Sequence, residues 1–189
     1  MICLSSVMNR SERRRFASVT FRRVTFVLVH GGAHGAWCWE RMIPHLRGDA
    51  IALDLPGRGS KPAALESVTA DDWADSVAKE ITDRDLNAVI LVGHSLAGIT
   101  LPRVAERVPD RLAGLRAETP ATYIKLLRDQ SVSPESQDRM IETLGAPEVL
   151  ELDAGHDAMV SRPAELAALL DRIAAEESKD RSAVAGSRT

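Results

Sequence analysis

A chain of 189 residues, 44% hydrophobic and 27% charged, is long enough for one domain with a sizeable core and too short for two comfortable ones, and its composition excludes disordered and fibrous classes. No apolar run approaches the roughly 18 residues of a membrane span. The two cysteines, Cys3 and Cys38, have neither the spacing of a disulfide framework nor that of a CxxC site, so a reducing, cytoplasmic setting is expected, with no metal and no cofactor.

Charge is uneven along the chain. Residues 1–23 hold six arginines (Arg10, Arg13, Arg14, Arg15, Arg22 and Arg23) against one acid, Glu12, and the remainder is acidic. This acid-poor leader lacks the apolar stretch of a secretory signal. Its composition suits an organelle transit peptide or a nucleic-acid arm, but no aromatic platform or binding motif accompanies it. The reading adopted is a disordered basic extension over 1–23, a single domain over 24–177 and a disordered tail over 178–189, with no nucleic-acid or membrane partner.

VTFVLVH at 24–30 is an apolar, β-branched run of strand length that breaks into the glycine-rich HGGAHG, as a buried parallel strand would. Trp37 to Arg47 reads as a helix, and AIALDL at 50–55 as a second strand closed by the turn PGRG. Thr69 can cap a helix whose apolar positions Trp73, Val77 and Ile81 recur every four residues, and AVILVG at 88–93 is a third buried strand. A helix at 96–107 follows directly. ATYIKLL at 121–127 and EVLEL at 148–152 make two more strands around a helix at 134–144, and a last helix spans roughly 163–176. The alternation predicts an α/β fold, a doubly wound, mostly parallel sheet of about five to six strands with helices on both faces. Functional groups are expected beyond the carboxyl ends of its strands. Each chemically interesting residue does follow a strand: His30 to His34, Asp54, Ser95, Asp129 and His156.

Ser95 stands in GHSLAG between a strand and a helix, the context of a nucleophile elbow, although the usual G-x-S-x-G pattern has Ala97 in its last place. A tight turn with a capping serine would leave the same signature, so the motif needs partners. A serine hydroxyl requires a base, and the base a third group to fix its tautomer. His156 lies in the loop after the last strand and Asp129 just after the strand before it, giving the order Ser, Asp, His. An oxyanion would be met by the backbone N–H of Leu96 and by one from HGGAHG, where Gly32 is the candidate. Neither dinucleotide nor Walker phosphate motifs occur in the chain.

VLVHGGAHGAWCWERMIPHL, DLPGRG, VGHSLAGITLPRVAERVPDRLAGL and ELDAGH together resemble the α/β-hydrolases, specifically the group of plant methylesterases, hydroxynitrile lyases and their bacterial esterase-like relatives. The resemblance covers 24–115 and 121–175. It implies that Ser95 is the nucleophile, Asp129 the acid and His156 the base, that Gly32 and Leu96 form the oxyanion hole, and that His34 and Trp37 line the entrance and contact substrate; packing would equally suit Trp37. The lyases of the group carry a threonine where Gly31 stands and a lysine where Asp157 stands. A carboxylate there would repel a departing cyanide, which favours hydrolysis of small uncharged esters.

The chain departs from the group after RLAGL, where the relatives complete a strand and insert a cap. Only RAETP separates Leu115 from Ala121, too little to return a parallel strand. The expectation is therefore that strands 88–93 and 121–127 run parallel as direct neighbours, or with a remnant at 111–115 between them, bringing Asp129 about one strand spacing nearer Ser95. Without a cap the site is expected to be open, with a second copy covering it in a homodimer. The alternatives to an esterase are a shortened, weak or inactive homologue and, less favoured, a hydroxynitrile lyase-type enzyme.

Overall fold

In the computed structural model, which describes residues 2–4, 24–113, 121–145 and 148–186, six strands form one sheet. They are β1 (Ile2–Leu4), β2 (Thr25–Val29), β3 (Asp49–Leu53), β4 (Val89–Gly93), β5 (Ala121–Leu126) and β6 (Glu148–Leu152), in the order β3-β2-β4-β1-β5-β6. β2 pairs in parallel with β3 and β4, and β5 in parallel with β6. β1 is antiparallel to both β4 and β5, which makes those two parallel to each other.

Buried on both faces, the central strands read as continuous apolar runs rather than alternating ones. Phe26 and Leu28 join one core layer with Ile90, Val92, Ile124, Met159 and Leu166, whereas Val27 and Val29 join the opposite layer with Val77, Ile81, Leu91 and Leu101. Successive residues of β2 thus serve opposite faces, the two-residue period of a strand. Each such side chain, fully buried, contributes about 1.5–3 kcal/mol.

Helices α1 (Ala70–Asp83) and α2 (Ala97–Arg107) cover one face, and α3 (Pro134–Leu144), α4 (Ala158–Ser161) and α5 (Pro163–Gly186) complete the helical set. Thr69 starts α1 through a capping box: its hydroxyl accepts from Asp72 N and the Asp72 carboxylate accepts from Thr69 N. The buried residues Ala74, Val77, Ala78 and Ile81 are spaced at helical intervals, so they form one stripe against the sheet. Ser133 caps α3 with Pro134 in its first turn, and Gly145 closes it in the left-handed region at φ 57°, where glycine carries no steric cost.

Five expectations need correction. Trp37–Arg47 is not a helix but two 3₁₀ turns, Ala36–Trp39 and Ile43–His45; Pro44 has no N–H to continue a helical ladder. β4 and β5 are parallel but not direct neighbours, because β1 lies between them. Asp129 is therefore not one strand spacing nearer Ser95. The extension expected over 1–23 supplies that strand with Ile2–Leu4, while 5–23 lie outside the described residues. The final helix continues past 177 to Gly186.

RLAGL explains why the slot was open. Leu112 makes a single parallel bridge with Val89, and Ala113 N donates to Val89 O at 2.6 Å. Val89 already pairs with Thr25 on its other edge, so Leu112 sits at the foot of the slot whose upper part β1 occupies. Residues 114–120, which hold the rest of that segment, lie outside the described residues. Among the described residues no helix is long and apolar enough to cross a membrane.

Candidate active site

Ser95 tops β4 at φ 51°, a left-handed conformation that costs a non-glycine residue of order 1–3 kcal/mol and must be held by its surroundings. The neighbours explain its motif. A Cβ on Gly93 would come within 2.6 Å of Leu101 Cδ1 and 3.1 Å of the Ala97 methyl, so position 93 has no room for a side chain. Position 97 accommodates a methyl group, which is buried. The departure from G-x-S-x-G therefore leaves the elbow intact. Ser95 and Leu96 are exposed at the turn, and α2 begins immediately after them.

Asp129 and His156 are brought together. Asp129 ends the loop after β5, where Oδ1 accepts from Ser131 N at 2.8 Å and Val132 N at 2.9 Å, and Oδ2 lies 2.8 Å from His156 Nδ1. Since Oδ2 of the carboxylate can only accept, Nδ1 carries the proton and Nε2 is left as the basic nitrogen. Burial would raise the Asp129 pKa, but the hydrogen bonds from His156, Val132 and Ser131 outweigh it and hold the carboxyl below its ordinary range. Gln137, buried on α3, fixes the loop by accepting from Leu126 N at 2.8 Å and donating to Leu126 O and Val132 O. Among the described residues no hydrogen bond joins the Ser95 hydroxyl to His156; catalytic hydrogen bonds of this kind are often long until substrate binds.

The glycine loop after β2 lies against the elbow. A Cβ on Gly31 would approach Ser95 Cβ and His94 Nδ1 to 2.9 Å, and one on Gly32 would lie 3.5 Å from Leu96 Cδ2. A threonine, the lyase residue, has no space at position 31. The backbone N–H groups of Gly32 and Leu96 donate to no other described residue, leaving both available to an oxyanion.

Two residues that the sequence did not single out as site residues hold this loop. His30 is buried, with Nδ1 donating to Gly31 O at 2.8 Å and Nε2 accepting from Leu55 N at 3.2 Å. Asp54 accepts from Ala36 N at 2.7 Å through one oxygen and from Ser60 N and Oγ, each at 2.9 Å, through the other. Together they tie HGGAHG to the PGRG turn. Their only sequence signal was position, since both follow strands.

His34 and Trp37 stack with ring centroids 5.6 Å apart, and Trp37 is 57% exposed, so it is not part of the core. His94 is buried beneath them. Its Nε2 lies 3.0 Å from His156 O, so it donates to that carbonyl, and its ring lies 4.6 Å from that of His156. Burial, reinforced by the neighbouring His156, lowers the His94 pKa to about 4. A narrow cleft opens beside the elbow, lined among others by Gly32, Leu55, Arg58, Trp73, Leu96 and Thr100.

Residues 26–115 match the alpha/beta hydrolase family. The chain has the α/β-hydrolase fold. It is 38% identical over 96 residues to Esterase PIR7B of Oryza sativa subsp. japonica, covering 47% of this chain and 35% of that protein. It is 37% identical over 93 residues to Methyl jasmonate esterase 1 of Vitis vinifera, covering 47% and 36%. The chain's match spans about a third of the length of these curated relatives. The crystal structure of the methylesterase protein MES16 from Arabidopsis superposes with a TM-score of 0.71 at 20% identity, covering 80% of this chain and 99% of that one. Both curated relatives carry esterase names, and the solved structure shares the fold.

Proposed function

We propose that the protein hydrolyses small carboxylic esters through an acyl-enzyme intermediate. The observation that carries this reading is the 2.8 Å Asp129–His156 pair at the same end of the sheet as a strained, exposed serine. The esterase names of the relatives support it.

In this mechanism His156 Nε2 takes the Ser95 proton as Oγ attacks the ester carbonyl. The buried Asp129 carboxylate stabilises the imidazolium that forms. The developing oxyanion meets the N–H groups of Gly32 and Leu96, the latter at the positive end of α2. Collapse of the tetrahedral intermediate breaks the ester C–O bond, and His156 returns the proton to the departing alcohol. Water, activated by the same nitrogen, then releases the acid and regenerates Ser95. The narrow cleft lined by Leu55, Trp73 and Leu96 would take only a small acyl or alcohol group. Exposed Leu96 at the cleft, together with exposed Trp37 and Ile99, offers apolar surface that a second copy would cover in a homodimer.

A second reading, an inactive homologue, draws on the missing Ser95–His156 hydrogen bond. Two measurements decide between them. Hydrolysis of p-nitrophenyl acetate is expected to fall by several orders of magnitude in Ser95→Ala, and a fluorophosphonate probe is expected to label Ser95 stoichiometrically by mass spectrometry. Equal rates in the two proteins, with no label on Ser95 in a chain whose circular dichroism is that of a folded protein, overturn the esterase reading.

A further inference from the structure

His34, His94 and Asp157 converge at the rim of the site, one ligand-type atom from each lying within 4.8 Å of the others. None of them has a chemical step in the mechanism above. His34 Nδ1 lies 2.8 Å from Gly32 O; a carbonyl can only accept, so Nδ1 carries the proton and, in the neutral ring, Nε2 presents a bare lone pair. That nitrogen lies 3.2 Å from Asp157 Oδ1. Two acceptors face each other there.

A proton on Nε2 does not resolve the contact. Asp157 Oδ1 is shut off from solvent and receives no hydrogen bond, so an N–H on the ring at 3.2 Å does not point at it. The spacing fits a shared metal instead. In a tetrahedral zinc site, bonds of about 2.0–2.1 Å to nitrogen and about 2.0–2.2 Å to oxygen put neighbouring ligand atoms about 3.3–3.4 Å apart. The His34–Asp157 distance is 3.2 Å and the His94–Asp157 distance 3.8 Å, one on either side of that value. A histidine whose other nitrogen is anchored on a backbone carbonyl, as His34 is on Gly32, is the usual arrangement of a zinc ligand.

We propose that His34, Asp157 and His94 form a binding site for one Zn²⁺ ion beside His156, with water as the fourth ligand. Two imidazoles and one carboxylate select zinc over magnesium or calcium, which favour all-oxygen sites. His34 and Asp157 are the primary ligands. His94 joins by giving up its 3.0 Å bond to His156 O and moving its proton to Nδ1, which has no hydrogen-bond partner. Zinc occupancy is thereby linked to the backbone of His156, and this site does not depend on whether the protein cleaves esters.

The test is isothermal titration of the metal-free full chain with ZnCl₂, alongside MgCl₂ and CaCl₂. One Zn²⁺ per chain is expected for the wild type, with affinity at least 10-fold lower in both His34→Ala and Asp157→Asn, unchanged in Asp153→Asn, and no heat from Mg²⁺ or Ca²⁺. Both ligand positions are partly exposed, and circular dichroism checks that the variants fold. No zinc binding by the wild type, or equal binding by wild type and both ligand variants, overturns the site. Fluorophosphonate labelling of Ser95 reports separately on the esterase reading.

Discussion

Acidification should destabilise the fold through His94. Its side chain is 1% exposed, and burial, with His156 beside it, lowers its pKa to about 4, against about 6.5 in an unfolded chain. The unfolded state therefore binds a proton between these values that the folded state does not, and stability falls as pH falls. The contribution is fully present above about pH 6.5, about 2 kcal/mol of it is lost by pH 5, and the loss levels off near 3 kcal/mol below about pH 4. His30, also lowered chiefly by burial, adds a loss of the same sign, so a control is needed. Urea unfolding of the wild type and His94→Gln from pH 7.5 to 4.5 isolates the term: the variant should start less stable and show a shallower decline. Two-dimensional NMR of labelled histidine reads the folded pKa directly. A His94 that titrates near 6.5 in the folded protein, or parallel declines in the two proteins, refutes the reasoning.

Asp129→Asn, which keeps the shape of the residue but removes its charge and can donate where the carboxylate accepts, is expected to lower turnover of p-nitrophenyl acetate by about 10³–10⁴ with near-native circular dichroism; a loss below tenfold would remove Asp129 from the mechanism. Deleting residues 1–4 removes the strand that pairs with both β4 and β5. It is expected to abolish cooperative urea unfolding or drive the protein into aggregates through two exposed strand edges, whereas an unchanged midpoint would show that Ile2–Leu4 do not hold the sheet together.

Most of the frame was legible because it rests on local signals. β2 and β4 announce themselves as short β-branched runs ending in glycine-rich turns, Thr69 and Asp72 encode the start of α1, and Gly145 its counterpart at the end of α3. The meeting of Asp129 and His156 was legible from their places after strands and from the resemblance carried by ELDAGH. What escaped was non-local. Nothing in ICL at 2–4 says that it pairs with VILVG some ninety residues away, because three residues carry no periodicity and the vacancy they fill arises from the short link after RLAGL. His94 was read only as the filler of the elbow motif and Asp157 only as an argument against a lyase. Their convergence with His34 depends on three separate loops, after β2, β4 and β6, meeting over the end of the sheet, which no spacing along the chain reports. The Trp37–Arg47 turns were misread because Trp39 and Met42, both fully buried, have the three-residue interval that α and 3₁₀ turns share.

The replacement of a parallel strand by an antiparallel one leaves the candidate site assembled for a geometric reason. Strands are about 4.8 Å apart in a sheet whichever way they run; direction alters the hydrogen-bond pattern, not the spacing. The slot between β4 and β5 needs only a backbone to keep those strands two spacings apart and parallel, since β1 contributes none of Ser95, Asp129 or His156. Asp129 and His156 come from β5 and β6, a parallel pair that fixes their mutual geometry independently of the slot. Ser95 comes from β4, whose register with β2 fixes the elbow against the glycine loop. The sheet is thus two parallel blocks, one holding Ser95 and the Gly32 and Leu96 amides, the other Asp129 and His156. The strand between them sets only their separation, and this is why three residues borrowed from the far end of the chain are sufficient.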